Sequence, residues 1–252
     1  MESPPANHTT SAEGAALDVV EHAALSDLGR EREGNEDSFL EASPIFVVAD
    51  GMGGAQAGEV ASQTAIETFE AAVEAGGLPE TLVETVESAN ARVYEMASSD
   101  RDRAGMGTTL TAAVVSGGGL TLGHVGDSRA YRFRGDRLEQ LTDDHSLVGG
   151  MVRMGQLTAA EAEQHPQRSV ILRAVGVEPA VEVDSLKHEL EDGDVYLLCS
   201  DGLSGMLRDP VIEEVLRSRP VLSEAAEMLV ALANECGGRD NITVVLFRVG
   251  RG

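Results

Sequence analysis

The chain runs to 252 residues with 42% apolar side chains, enough for a sizeable core and one large domain. Its formal charge of −24, with 19 basic residues of which only Lys187 is a lysine, disfavours nucleic acid and anionic membrane surfaces and favours cations. No apolar run approaches the roughly 18–20 residues of a membrane span, and no basic-then-apolar leader is present. Cys199 and Cys236 give neither a disulfide framework nor a zinc spacing, so free thiols in a reducing cytoplasm are expected.

In chain order, residues 1–15 (MESPPANHTTSAEGA) are small, polar and proline-containing, and read as a disordered tail before a single domain over 16–252. β-like runs are expected at 18–25, 45–49, 108–115, 120–125, 130–133, 181–190, 195–199 and 242–249. Gly117-Gly118-Gly119 and Gly135-Asp136 supply turn chemistry between neighbouring runs, which predicts hairpins and antiparallel pairing. Leu82, Val86, Ala89, Val93 and Met96 keep helical spacing after Pro79, a good first-turn residue. Thr158 and Glu161 spell a capping box, Asp209-Pro210 a cap followed by proline, and Leu222, Ala226, Leu229 and Ala233 a further helix. Strands and helices come in blocks without strict β-α alternation. That pattern predicts an α+β layered domain with helices outside antiparallel sheets.

Three segments drive an apolar run into an aspartate followed by glycine or serine: FVVADGMGG at Asp50, LGHVGDSR at Asp127 and YLLCSDGLSG at Asp201. A fourth, GGRDNITVV, places Asp240 just before a strand. Carboxylates gathered at a sheet rim repel unless hard cations neutralise them, and Mg²⁺ or Mn²⁺ suits oxygen ligands on glycine-flanked turns. In SDLGREREGNEDSF, Arg32 stands just ahead of Glu36 and Asp37, where a guanidinium can clamp phosphate while the acids orient water. GMGG lacks the lysine and hydroxyl of a P-loop, and no G-x-G-x-x-G occurs.

These segments, with GMGTTLTAAV, VGDSRAYRF and HPQRSVILRAVG between them, resemble in order the motifs of the PPM-type (type 2C) metal-dependent serine/threonine protein phosphatases, bacterial members above all. The likeness runs from about Ala23 to Val249. It implies a four-layer α-β-β-α sandwich of two antiparallel sheets flanked by helix pairs, with two metal ions, Mn²⁺ or Mg²⁺, at one end. By the same resemblance Asp50 bridges the metals, the Gly51 carbonyl completes one site, and Asp201 and Asp240 hold the other ion. Glu36 and Asp37 act through metal-bound waters, and Arg32 binds the substrate phosphate. Asp127, Asp201 and the Ser169 carbonyl match a third metal site, and 143–168 corresponds to a flap beside the centre.

The implied reaction is direct in-line hydrolysis of phosphoserine and phosphothreonine by a metal-activated water, reversing a serine/threonine kinase. Phosphorylated proteins, such a kinase included, are the implied partners. The expected form is a stand-alone cytoplasmic monomer. Met52 departs from the histidine of eukaryotic relatives, and a thioether cannot donate a proton. Metal-bound water, solvent, His145 or His165 remain as donors to the leaving group. Cys199, within YLLC, reads as core and not as a nucleophile. A phosphohydrolase of small phosphomonoesters or nucleotides, and a non-catalytic phosphoprotein-binding domain, stand as rivals.

Overall fold

The structure is a computed structural model that describes residues 17–53, 57–77 and 81–251. The tail expected over 1–15, and Pro79, lie outside the described residues. One antiparallel sheet is ordered β1 (Leu17–Asp27), β11 (Ile242–Arg251), β10 (Val195–Cys199), β7 (Arg129–Arg134) and β8 (Arg137–Gln140). The other is ordered β2 (Asp37–Ala42), β3 (Ile45–Met52), β5 (Leu110–Ser116), β6 (Gly119–Val125) and β9 (Asp184–Glu189), with short β4 (Gly107–Thr108) on the end of β3.

Three apolar layers follow from strand alternation. Ile45, Val47 and Ala49 of β3 meet helices α1 (Ala57–Glu74) and α2 (Leu82–Ser99). Ile242, Val244 and Leu246 of β11 meet α5 (Asp201–Ser204), α6 (Asp209–Ser218) and α7 (Leu222–Glu235). The alternate residues, Phe46 and Val48 against Val245, Phe247 and Val249, fill the space between the sheets. There Phe46 stacks on Phe247 with ring centroids 4.3 Å apart. The result is the expected α-β-β-α sandwich. Both faces of β11 are covered, which is why Val244, Val245, Leu246 and Phe247 follow one another without a polar residue.

Both turn expectations hold. Gly117 and Gly118 have φ of 58° and 78°, and Gly135 and Asp136 have 55° and 61°, the left-handed pair that a two-residue type I′ hairpin needs. Thr158 and Glu161 form a reciprocal capping box on α4 (Ala159–Glu163), which follows α3 (Leu147–Arg153). One cap is corrected. Arg208 is the N-cap of α6 and Asp209 is already helical, its carboxylate accepting from the Tyr131 hydroxyl at 3.2 Å. The strand expected at 181–190 is trimmed to Asp184–Glu189, where pairing with β6 begins and ends.

Candidate active site

Alternation along β3 decides where its terminal charge goes. Phe46 and Val48 face the middle layer, so Asp50, two residues on, faces the mouth of that layer. β2 pairs in register and sets Asp37 directly opposite Asp50. Asp201 opens α5 two residues after β10, and Asp240 stands two residues before β11, so the opposite sheet sends its acids to the same mouth. Asp127 lies on the turn between β6 and β7, a connection that crosses from one sheet to the other.

Asp37 is the seam between the sheets. Its Oδ2 accepts from the Ser200 hydroxyl at 2.8 Å and the Thr243 hydroxyl at 2.6 Å, both from the opposite sheet. Thr243 also meets Ser26 at 2.8 Å, and Asn35 donates to Ser26 at 2.9 Å. Asp50 is fixed through its backbone: its N–H donates to Thr109 Oγ1 at 3.0 Å, and its carbonyl accepts from Thr108 Oγ1 at 2.9 Å. Gly51 admits no side chain, because a Cβ there would stand 2.2 Å from the Gly58 carbonyl oxygen and 2.5 Å from that of Glu36. Gly202 is under the same constraint, with the Asn241 carbonyl oxygen 1.9 Å from a Cβ position. Glycine after each aspartate thus serves close backbone approach.

Burial and mutual repulsion act on these carboxyls together. Burial pushes Asp37 up to about 7 against its two hydroxyl donors, with Asp201 and Asp240 adding to the rise. Asp127 rises to about 7 and Asp201 to about 6, each by burial first and a neighbouring acid second. Asp50 is raised well above the carboxylate range by burial and by Asp37, Asp201, Asp127 and Asp240. Asp127 Oδ1 is buried with no hydrogen-bond partner. An all-oxygen donor set, crowded, half dehydrated and short of counter-charge, fits hard divalent cations. Among the described residues no three Asp, Glu, His or Cys side chains have closed to the spacing of a metal cage. Of these acids, Asp37 is engaged by Ser200 and Thr243, and Asp240 by Arg32.

Arg32 supplies the one cation at the mouth that these bonds identify. Its Nη2 donates to Asp240 Oδ2 at 2.7 Å, and Nη1 is 3.6 Å from Glu36 Oε2, with the side chain 45% exposed. Eight of the nine sequence-predicted site residues therefore share one locality; Ser169 is the outlier. It is exposed on the segment after α4, and the hydrogen bonds of the acid cluster do not include it. Its neighbour Val170 does run beside the flap's start, its carbonyl accepting from the Leu147 N–H at 2.8 Å.

His145 is buried and fully engaged. Nδ1 accepts from the Gly126 N–H at 3.1 Å, while Nε2 faces Asp184 Oδ2 at 3.2 Å and Arg173 Nη1 at 3.1 Å. Burial holds its pKa below the ordinary histidine range, so it is neutral and structural. His165 accepts from the Gln167 N–H at 3.2 Å on the outer segment. Cys199 is buried, and burial pushes its thiol up to about 12, as its place in an apolar strand predicts.

Asn241 was not singled out by the sequence. Its Oδ1 accepts from the Glu36 N–H at 2.8 Å, and its Nδ2 donates to the Leu28 and Gly34 carbonyls at 2.9 and 3.0 Å. One buried amide thereby holds the whole loop that carries Arg32, Glu36 and Asp37. The only trace in the sequence is an asparagine after Asp240, a pair that also occurs in ordinary turns.

Comparison with known proteins agrees with this geometry. The family described as protein phosphatase 2C matches residues 30–243. The chain is 41% identical over 233 residues to the serine/threonine phosphatase stp of Listeria innocua serovar 6a, covering 88% of this chain and 92% of that protein. It is 42% identical over 237 residues to the serine/threonine protein phosphatase PstP of Mycobacterium tuberculosis, covering 92% of this chain and 45% of PstP. The catalytic domain of a PstP, solved in complex with two manganese ions, superposes with a TM-score of 0.86 at 39% identity, covering 93% of this chain and all of that one (100%).

Proposed function

Because the chain belongs to the protein phosphatase 2C family, we propose that the acids at the mouth of its sandwich form a metal centre that hydrolyses phosphorylated protein side chains. The activity is that of a metal-dependent serine/threonine protein phosphatase. The observation that carries the site assignment is the crowding of Asp37, Asp50, Asp127 and Asp201, whose charges burial and proximity oppose while Asp127 Oδ1 has no partner at all. Such a set is costly without cations and well matched to them.

In this reading Asp50, the Gly51 carbonyl, Asp201 and Asp240 hold two Mn²⁺ or Mg²⁺ ions. Glu36 and Asp37 would orient water around them, and Asp127, Asp201 and the Ser169 carbonyl would offer a third position. Divalent ions here supply a nucleophilic water at neutral pH and offset charge on the phosphoryl oxygens. Ser200 and Thr243 keep Asp37 an acceptor by giving both their protons to it. Arg32 is pre-aimed into the cluster by Asp240 and Glu36 and presents its remaining N–H groups to the substrate phosphate. Met52 has no proton to give, both His145 nitrogens are occupied and His165 is engaged by Gln167 on the segment after α4, so water would protonate the leaving hydroxyl. A serine/threonine kinase and its targets are the phosphoproteins this activity would oppose.

The deciding experiment is a Mn²⁺ titration of activity on phosphoserine, phosphothreonine and phosphotyrosine peptides, for the wild type and for Asp201→Asn. Metal-dependent turnover of the first two peptides, lost in Asp201→Asn with the fold retained by circular dichroism, is the expected result. Near-wild-type turnover by the variant would refute the ligand assignment.

A further inference from the structure

Val177 takes no part in the chemistry above, yet its backbone is held on both sides. Asn90 of α2, 1% exposed, accepts from the Gly176 N–H at 2.7 Å and donates to the Glu178 carbonyl at 3.0 Å. Val175 exchanges two backbone hydrogen bonds with Thr108, at 3.0 and 2.9 Å, and the Thr108 hydroxyl donates to the Asp50 carbonyl. Gly176 has φ of 88°, and a Cβ there would fall 2.2 Å from Val93 Cγ1, so the turn is tailored to this packing. Val177 is thus tied to Asp50 through a short chain of bonds. Its side chain nevertheless stays 47% exposed.

That side chain leans over Gly107. A Cβ on Gly107 would meet Val177 Cγ2 at 2.8 Å, the Val175 carbonyl oxygen at 3.0 Å and Met52 Cγ at 3.8 Å, so both apolar groups border the space that the missing side chain leaves. Met52 pairs with Gly107 and, two residues after Asp50, lies on the same face of β3 as that acid. Isolated exposed valines are ordinary. This one has its backbone held on both sides and borders Gly107 together with Met52, which stands two residues after Asp50. An apolar side chain left half-exposed gains little in the free protein, whereas a bound apolar group would bury it.

We propose that Met52 and Val177 form a subsite for an apolar side chain flanking the phosphorylated residue of a protein substrate. This rests on the phosphatase reading of the acid cluster and deepens it. The acidic surface attracts basic peptides at long range without choosing among them, and the shelf adds a short-range choice.

The test uses matched phosphothreonine peptides carrying Leu or Ser at each of the two positions on either side of the phosphothreonine. Their kcat/KM values are measured with Mn²⁺ for the wild type, Val177→Ser and Val177→Leu. A half-exposed shelf favours Leu at one flanking position by about tenfold, the low end of what an apolar contact gives. Val177→Ser brings that ratio to within about twofold of unity and Val177→Leu restores it. Equal rates on Leu and Ser peptides in the wild type would overturn the proposal, as would a preference that survives Val177→Ser. Wild-type turnover of p-nitrophenyl phosphate alongside separates the two levels: active enzyme without a flanking preference sinks only the shelf. No turnover of any substrate sinks the phosphatase reading and the shelf with it.

Discussion

Replacing Asn241 by leucine keeps the branched shape of the side chain and removes its hydrogen-bonding groups. Asn241 is 2% exposed, and its amide makes three hydrogen bonds, at 2.8, 2.9 and 3.0 Å, to the backbone at Glu36, Leu28 and Gly34. Each is worth about 1 kcal/mol net, and backbone groups left dry and unpaired raise the total to about 3–5 kcal/mol. In a domain of this size 1 kcal/mol moves the melting temperature by about 2–4 °C, so Asn241→Leu should melt about 6–20 °C lower. The loss is not only global. The freed loop carries Arg32, Glu36 and Asp37, so kcat/KM on a phosphothreonine peptide should fall even at a temperature where circular dichroism shows both proteins folded. Asn241→Asp keeps the acceptor for the Glu36 N–H but turns a carboxylate oxygen toward two carbonyls beside the acid cluster, and should melt at least as low as Asn241→Leu. A leucine variant melting within about 2 °C of the wild type, with kcat/KM intact, would refute the role given to this amide.

Arg32→Ala should chiefly raise KM, because the guanidinium that meets the phosphate is gone while Asp240 and Glu36 remain; a large fall in kcat at unchanged KM would confine Arg32 to the transition state. His124, 0% exposed, is bonded to Thr111 and to the Asp143 carbonyl, and burial followed by the neighbouring His145 holds its pKa down at about 4 from 6.5. Between those values only the unfolded chain takes the proton, so this residue's contribution to stability is lost as pH falls from 6.5 to about 4, by up to about 3 kcal/mol. The raised carboxylates push the other way, so the quantity to measure is the difference between wild type and His124→Gln in urea melts across that range. A difference that stays flat with pH would remove His124 as its source.

Much of the fold was legible because its strands are apolar and its hairpins carry obligatory turn residues. The parts that were not legible have physical reasons. β2 (DSFLEA) and β8 (RLEQ) are short, polar and at sheet edges, where pairing and not burial defines a strand. Helix α1 buries Ala57, Ala61 and Ala65 with Ser62 and Thr64, and small residues blunt the contrast on which periodicity depends. Asp209-Pro210 carried the signature of a cap, but the Tyr131 hydroxyl claims the carboxylate. Asp50, Asp127, Asp201 and Asp240 were visible because each stands beside a glycine, serine or asparagine at the end of an apolar run. Asn241, Ser200 and Thr243 were not, since their role is to bridge points 205, 163 and 206 residues apart, and only the packed sheets bring those together.

The stacked pair Phe46 and Phe247 belongs to the layer whose mouth the acids occupy. Because Asp37 and Asp50 ride on one sheet and Asp201 and Asp240 on the other, the separation of the two halves of the centre equals the alignment of the two sheets. A slip of one slab against its twin would misalign every carboxylate at once, with no catalytic side chain altered. The greasy seam between the sheets is in effect the ruler by which the centre is gauged. Drift in sequence there should be tolerated only where it preserves thickness, however far it lies from phosphorus.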